Sequence, residues 1–124
     1  MSINKLFDRI DYKDEDTKTK MNELKSILEQ LGYPVAYDHF NAPTATPFIV
    51  FRRYASDNFF ADGGVYKKIN NIYVELYTDK KDIELENALE KLFDENQIIY
   101  NVESETFISE ENVYEIIYKI NKEE

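Results

Sequence analysis

The chain has 124 residues, which is enough for one hydrophobic core and too few for two domains of ordinary size. Acidic residues outnumber basic ones by 25 to 15 and give a formal net charge of −10, so non-specific binding to a phosphate backbone is disfavoured. The absence of cysteine excludes disulfides, thiolate zinc sites and cysteine nucleophiles. No apolar run approaches the roughly 20 residues that span a bilayer, and no secretory signal is recognisable. We therefore expect a folded acidic domain that is neither secreted nor inserted in a membrane.

Residues 1–17 are predicted to form an N-terminal arm or linker ahead of a single domain at 18–124. Four apolar residues at helical spacing precede an acidic run: Ile3, Leu6, Phe7 and Ile10. This pattern is typical of a short amphipathic turn with a solvated linker, or of an arm that docks on a neighbour. The acidic run, which includes Asp11, Asp14, Glu15 and Asp16, lacks the spacing of an EF-hand loop, so no metal site is predicted.

The first helix is predicted over residues 18–31. Its apolar residues recur at intervals of three and four: Met21, Leu24, Ile27, Leu28 and Leu31. Thr17 or Thr19 is placed to cap its start, and Gly32, followed by Pro34, is placed to end it.

The next part of the chain is rich in Val, Ile, Tyr and Phe, which favours strands. Residues 41–47 form a predicted connector, because the two prolines there exclude a regular ladder. Residues 56–64 form a predicted hairpin loop that ends in the turn signal Asp62-Gly63-Gly64. The three strands so delimited are 35–40, 48–54 and 65–78.

A second helix and two closing strands complete the prediction. Asp79 or Asp82 can cap the helix, and Asn96 is placed to end it. Its predicted apolar face consists of Leu85, Ala88, Leu89 and Leu92. The closing strands are expected at 98–104 and 113–120, where apolar and polar residues alternate in the second of them.

The element order αβββαββ predicts an α+β fold, with a mainly antiparallel sheet of about five strands and both helices packed on one face. On the third strand, Ile72, Val74 and Leu76 are expected to face the helices, together with Phe48 and Val50 of the second strand. The other face is then expected to carry Tyr73, Glu75, Tyr77, Ile49, Phe51 and Arg53. Such a face is too apolar to remain in water, so either a partner covers it or the sheet curls on itself.

Residues with catalytic potential are few and do not form a recognisable constellation. The single histidine, His39, neighbours Asp38, but strand alternation is expected to separate their side chains, so a structural or surface role is predicted. Acidic pairs such as Glu103 with Glu105, and Glu110 with Glu111, are expected by chance among 25 carboxylates. With only three glycines there is no phosphate-binding loop. We predict no catalytic, cofactor or metal-binding residue.

Three basic doublets stand out in this acidic chain: Arg52-Arg53, Lys67-Lys68 and Lys80-Lys81. Adjacent residues in a strand face opposite ways, so no doublet alone makes a one-sided phosphate patch. We expect these residues to pair with acidic groups, either within the chain or across a subunit interface.

Several segments together resemble the tail terminator, or tail-completion, family of long-tailed phages and prophages of Gram-positive bacteria. They are Tyr-Pro-Val-Ala-Tyr-Asp-His-Phe at 33–40, Pro-Phe-Ile-Val-Phe at 47–51, Ser-Asp-Asn-Phe-Phe-Ala-Asp at 56–62, residues 65–82 and the Glu/Leu-rich helix that follows. The resemblance covers roughly residues 24–120 and rests on an extended pattern, not on a catalytic signature.

The resemblance implies a non-enzymatic structural protein of the virion tail or neck, assembled in the host bacterial cytoplasm. Its copies would form a ring, implied to be hexameric, that caps the tail tube protein and joins it to the head-connector or stopper protein. DNA would be a passing cargo, with no cofactor and no membrane partner. Two alternatives remain: another neck protein, such as a head-completion stopper or adaptor, and an acidic DNA-mimic inhibitor.

The predicted protein interface draws on aromatic and basic residues near the central hairpin. Adjacent phenylalanines exposed near a turn are costly unless something buries them, either a partner or a fold-back onto the sheet. The residues assigned to this interface are Phe59, Phe60, Arg53, Tyr73 and Tyr77.

Overall fold

A computed structural model describes the backbone of residues 15–61 and 65–122 and the side chains of residues 19–53 and 72–120. The apolar group and most of the acidic run predicted at 1–17, and the turn at 62–64, lie outside the described backbone. The described elements are α1 (Glu15–Glu29), β1 (Val35–Tyr37), β2 (Phe48–Ala61), β3 (Val65–Thr78), α2 (Ile83–Glu95), β4 (Ile98–Ile108) and β5 (Val113–Lys122).

The five strands form one sheet in the order β1-β2-β3-β5-β4. Three neighbouring pairs are antiparallel, and β1 alone runs parallel to its neighbour β2. The predicted α+β class, the element order and the mainly antiparallel sheet are therefore confirmed. A parallel β1 was not predicted; it arises because the connector at 38–47 returns the chain to the start of a strand beside β1.

Helix α1 begins earlier than predicted, so Thr17 and Thr19 lie inside it and do not cap it. Its C-terminal end follows the prediction more closely. Gly32 adopts a φ of 87° and its N–H donates to the Glu29 carbonyl at 3.0 Å. This is the left-handed conformation that commonly terminates helices and that glycine adopts without steric cost.

Replacing Gly32 with alanine is expected to lower the free energy of unfolding by about 1 kcal/mol. A Cβ built on Gly32 would meet nothing within 4 Å, so the cost is that of the left-handed backbone and not of a clash. Urea denaturation measures the difference. Gly32→Asn is the matched control and should lose less, because asparagine tolerates this conformation; equal losses in both variants would contradict the explanation.

Helix α2 has the caps that its sequence predicts. The Asp82 carboxylate accepts the Leu85 N–H at 3.0 Å, and the Asn96 side-chain amide donates to the Leu92 carbonyl at 2.8 Å. Its buried face differs in one position, because Ala88 is exposed and Phe93 is fully buried instead. The apolar stripe therefore runs along 85, 89 and 93, at the spacing of successive helical turns.

Both helices contribute to one hydrophobic core on a single face of the sheet, as predicted. The core residues of the helices are Met21, Leu24, Ile27, Leu28, Leu85, Leu89 and Phe93. The core residues of the sheet include Tyr37, Ile49, Phe51, Val74, Leu76, Ile98, Ile116, Tyr118 and Ile120. The register explains this set, since Ile49 lies opposite Leu76 and Leu76 lies opposite Ile116. We call the opposite side of the sheet the far face.

The predicted faces of β2 are wrong. Ile49 and Phe51 are fully buried in the core with the helices, whereas Phe48 and Val50 lie on the far face opposite Tyr77 and Glu75. The physical reason is that alternation divides a strand into two sets but does not say which set faces the helices. The register of β2 with β3 decides which set faces the helices.

β2 and β3 extend well beyond the rest of the sheet. Each has 14 residues, yet β5 pairs with β3 only from Ile72 onward and β1 pairs with β2 only at residues 49–51. Residues 56–61 and 65–70 therefore form a two-stranded ribbon without a third strand in the described chain; we call this ribbon the arm. The loop predicted at 56–64 is thus wrong over 56–61, which is strand.

Candidate functional site

The far face carries a groove beneath the connector between β1 and β2. The chain leaves β1 at Asp38, whose φ of 68° turns it out of the sheet, and returns at Phe48. The connector covers this end of the sheet through aromatic contacts, with the ring of Phe40 edge-on to Phe48 at 5.3 Å and Phe48 stacked on Tyr77 at 4.9 Å. The chain itself therefore covers part of the apolar surface for which a partner or a curled sheet was expected.

The groove has a volume of about 1010 Å³ and combines aromatic walls with charged groups. The C-terminal end of the connector is held by the Thr46 hydroxyl, which donates to the Asp79 carboxylate. Lining residues from the sheet include Phe48, Val50, Arg52, Glu75 and Tyr77. The groove therefore lies over the middle strands of the sheet, where its base consists of β2 and β3 side chains.

At the base of the groove lies a buried charge network centred on Glu75. Glu75 is only 4% exposed although it is acidic, and its Oε2 lies 3.0 Å from Nη2 of Arg52 on the neighbouring strand. The Tyr77 hydroxyl lies 2.8 Å from Oε1 of Glu75 and 2.6 Å from Oε2 of Glu115 on β5. The network thus connects β2, β3 and β5 across the far face.

The proton inventory of this network favours a protonated carboxyl group. A phenol has one proton, so Tyr77 cannot donate to both carboxylates at once, and both short contacts are satisfied when one carboxyl donates to the phenol oxygen. Burial raises the pKa of Glu75 above its ordinary value, against the opposing effects of Tyr77 and Arg52. Burial, reinforced by the hydrogen bond to Glu115, also raises the pKa of Tyr77 far above its ordinary range.

The prediction that Asp38 and His39 point apart is wrong. Nδ1 of His39 lies 2.8 Å from Oδ2 of Asp38, because the chain has already left the strand at this point and alternation no longer applies. Both side chains are exposed. The predicted surface role for His39 fits this position.

The charged side chains at the base of the groove form a network of one ion pair and two hydrogen bonds. Among the described side chains, those of residues 19–53 and 72–120, no group of three or more histidine, cysteine or acidic residues is arranged to hold a metal ion. Among residues 15–61 and 65–122, no helix is long and apolar enough to cross a membrane. What the far-face network can do is hold a proton and a buried ion pair, and fix three strands to one another.

A second surface lies at the free edge of β4. This strand of 11 residues pairs with β5 on one side, and no strand pairs with its other side in the described chain. Three of its apolar side chains are unusually exposed: Ile99 by 51%, Val102 by 46% and Phe107 by 50%. An open edge with apolar side chains is a template for pairing with another strand.

Two of the three basic doublets contain a residue that pairs with acidic groups within the chain. Pairing within the chain was one of the two outcomes predicted for the doublets. Arg52 pairs with Glu75, and Lys81 joins Glu86 at 2.9 Å to Glu105 at 2.5 Å, which links α2 to β4. These contacts raise the pKa of Lys81, and Lys81 lowers the pKa of Glu105. The side chains of Lys67 and Lys68 lie outside the described ones.

The structure separates the five predicted interface residues. Tyr73 and Tyr77 lie half-buried on the far face, where Tyr77 belongs to the charge network. Arg53 does not lie on the far face. It has the core-facing parity of Ile49 and Phe51, and its backbone N–H donates to the Tyr37 hydroxyl at 3.4 Å. Phe59 and Phe60 belong to a strand of the arm and not to a loop, and their side chains lie outside the described ones.

The sequence predicts an acidic partner for Arg52 but not that Arg52, Glu75 and Glu115 belong to one network. One signal was present, since Glu75 stands between Val74 and Leu76 in a strand otherwise built for burial. Its partner could not be identified, because Arg52 is 23 positions away and meets it only through the β2–β3 register.

Comparison with models of known protein families finds no match, and no curated protein sequence matches the chain significantly. The fold class is therefore established by the structure alone, as an α+β sheet with two helices on one face.

Proposed function

We propose that the chain is a non-enzymatic virion structural protein, a tail terminator or tail-completion subunit. Copies of it would form a ring that caps the tail tube and meets the head connector. The resemblance of residues 24–120 to that family motivates the specific role. The observation that carries the proposal is the presence of two different unpaired regions on one sheet, the arm and the free edge of β4.

Two different unpaired regions favour ring assembly over a simple dimer. A two-stranded ribbon is only marginally stable in water, so the arm gains most by contacting another surface. When one patch meets a different patch on the neighbour, each copy can join two others, and the chain of copies closes into a ring if the rotation allows it. This is the type of interface that a tail-capping ring requires.

The distribution of acidic groups favours this role over a DNA mimic. A mimic needs carboxylates free on an exposed surface, whereas several carboxylates here are engaged by other side chains of the same chain: Glu75, Glu86, Glu90, Glu105 and Glu115. The overall charge of −10 suits a lumen through which DNA passes, because it offers few cations for phosphates to bind.

Electron microscopy of the purified protein, with its mass measured in solution, tests the proposal. We expect closed rings with a central opening, either alone or at the ends of added phage tail tubes. A monomer that leaves the tubes uncapped would contradict the proposal, and inhibition of a nuclease by that monomer would support the DNA-mimic alternative. Rings that bind a portal-type connector but not tubes would indicate a different neck protein.

A further inference from the structure

The free edge of β4 offers backbone groups for strand pairing along its whole length. β5 occupies one side of β4 from Ile98, opposite Lys122, to Ile108, opposite Val113. On the other side, the N–H and C=O groups that point away from β5 meet no strand of the described chain. By contrast, the opposite edge of the sheet is only three residues long and lies between Pro34 and Pro47.

The exposed apolar residues of β4 flank this edge on both sides of the sheet. Val102 and Phe107 have the parity of the core-facing residues, whereas Ile99 has the parity of the far face. All three are about half exposed. An added strand would therefore gain apolar contacts above and below its backbone hydrogen bonds.

The charge of β4 determines which strand fits. Its only charged residues are Glu103 and Glu105, and Glu103 lies at the irregularity between Val102 and Ser104, at the middle of the strand. Glu105 is already paired with Lys81, whereas Glu103 is exposed and has no partner in the described part of the chain. Two β4 edges paired antiparallel would bring these carboxylates together, so self-pairing of β4 is disfavoured.

The arm has the complementary charge. In the sequence, its 65–70 strand contains Lys67 and Lys68 and no acidic residue, and this strand has no neighbour other than residues 56–61 in the described chain. The arm and the β4 edge thus combine open backbone groups, opposite charge and the lack of a third strand.

We propose that the free edge of β4 binds the arm of a second copy of this chain by strand addition. The inference rests on the proposed self-assembly and identifies the two surfaces that meet. Strand addition supplies the affinity through main-chain hydrogen bonds. The opposite charges of β4 and the lysine-bearing strand favour pairing of β4 with an arm over pairing of β4 with another β4. Copies would join head to tail, each giving one arm and receiving another.

Cysteine crosslinking tests the contact directly, because the natural chain contains no cysteine. Glu103→Cys and Lys68→Cys are made as separate proteins, mixed at equal concentration and oxidised. We expect the mixed disulfide to be the main product. Glu29→Cys, at an exposed position of α1, mixed with Lys68→Cys is the control and should give little product. A predominant Glu103→Cys homodimer, or a yield equal to that of the control, would overturn the proposal.

A charge exchange tests the same contact in the unlinked protein. Glu103→Lys is expected to weaken self-association by about tenfold or more, because it places like charges against each other. Adding Lys67→Glu and Lys68→Glu to that variant should restore association, and Glu29→Lys should leave it unchanged. Circular dichroism confirms that each variant is folded. Rings that persist in Glu103→Lys would overturn this inference but leave the proposed function standing. Arm-to-edge crosslinks without closed rings would support this inference and contradict the proposed function.

Discussion

Phe51→Ala is expected to lower the free energy of unfolding by about 3–5 kcal/mol. Phe51 is fully buried between the sheet and the helices, and its ring meets Tyr37 edge-on at 5.4 Å. Truncation removes the apolar contacts and leaves a cavity that the surrounding strands cannot fill. Chemical denaturation in urea measures the loss as a shift of the midpoint at constant slope.

Phe107→Ala is the matched control for this prediction. It removes the same side chain from a half-exposed position at the β4 edge, where no packed core surrounds it, and should cost less than about 1 kcal/mol. The ratio of the two losses reports the orientation of β2. If Phe51→Ala cost as little as Phe107→Ala, Phe51 would have to face away from the helices.

Arg52→Met is expected to lower the free energy of unfolding by about 2 kcal/mol at neutral pH. The substitution leaves the Glu75 carboxylate, which is 4% exposed, without the guanidinium at 3.0 Å. The Arg52 side chain is 36% exposed, so the loss is smaller than for a fully buried pair. Thermal or urea unfolding at pH 7 measures it.

The pH dependence identifies Glu75 as the source of that loss. Its pKa is raised by burial, so protonated Glu75 stabilises the fold fully below its ordinary pKa, and this contribution is lost as the pH rises through the raised value. The cost of Arg52→Met should therefore shrink on acidification from pH 7 towards that region. Arg52→Met with Glu75→Gln should recover most of the loss at neutral pH; no recovery would show that Arg52 acts through other contacts.

The elements that local sequence determines were predicted well. Asp82 and Asn96 cap α2 where the sequence places them, and Gly32 follows the end of α1, because capping depends on residues within one turn of each other. The α+β class follows equally from the element order. Both ends of α1 differ from the predicted range 18–31, since the helix runs over Glu15–Glu29; its start was misplaced because Thr17 and Thr19 are compatible with a helix interior as well as with a cap.

The errors involve information that lies in other parts of the chain. Whether Phe51 or Val50 faces the helices depends on its alignment with Val74 and Glu75, which no local pattern reveals. The sequence predicts a loop at 56–61, because the polar start of this segment and the turn signal at 62–64 outweigh its two phenylalanines. Its partner residues at 65–70 extend the ladder that the sequence appeared to interrupt.

The far-face network could be predicted only in part. Tyr73, Glu75 and Tyr77 were placed on the far face correctly, because all three share the parity of β3. The sequence did not predict that the connector covers this face. Phe40 reaches Phe48 only because the chain turns at Asp38, which has a left-handed conformation. A single acidic residue in an apolar strand indicates that it has a buried partner but does not identify that partner.

The shortness of β1 has a consequence for how far any assembly through the sheet can grow. β1 has only three residues and directly follows Pro34, so it offers too little backbone to template a further strand. In the proposed assembly each copy therefore contacts two others, by giving one arm and by receiving another at its β4 edge. The number of subunits in such a closed assembly would be set by the angle between the arm and the β4 edge, which is a property of the sheet geometry and not of the contact chemistry.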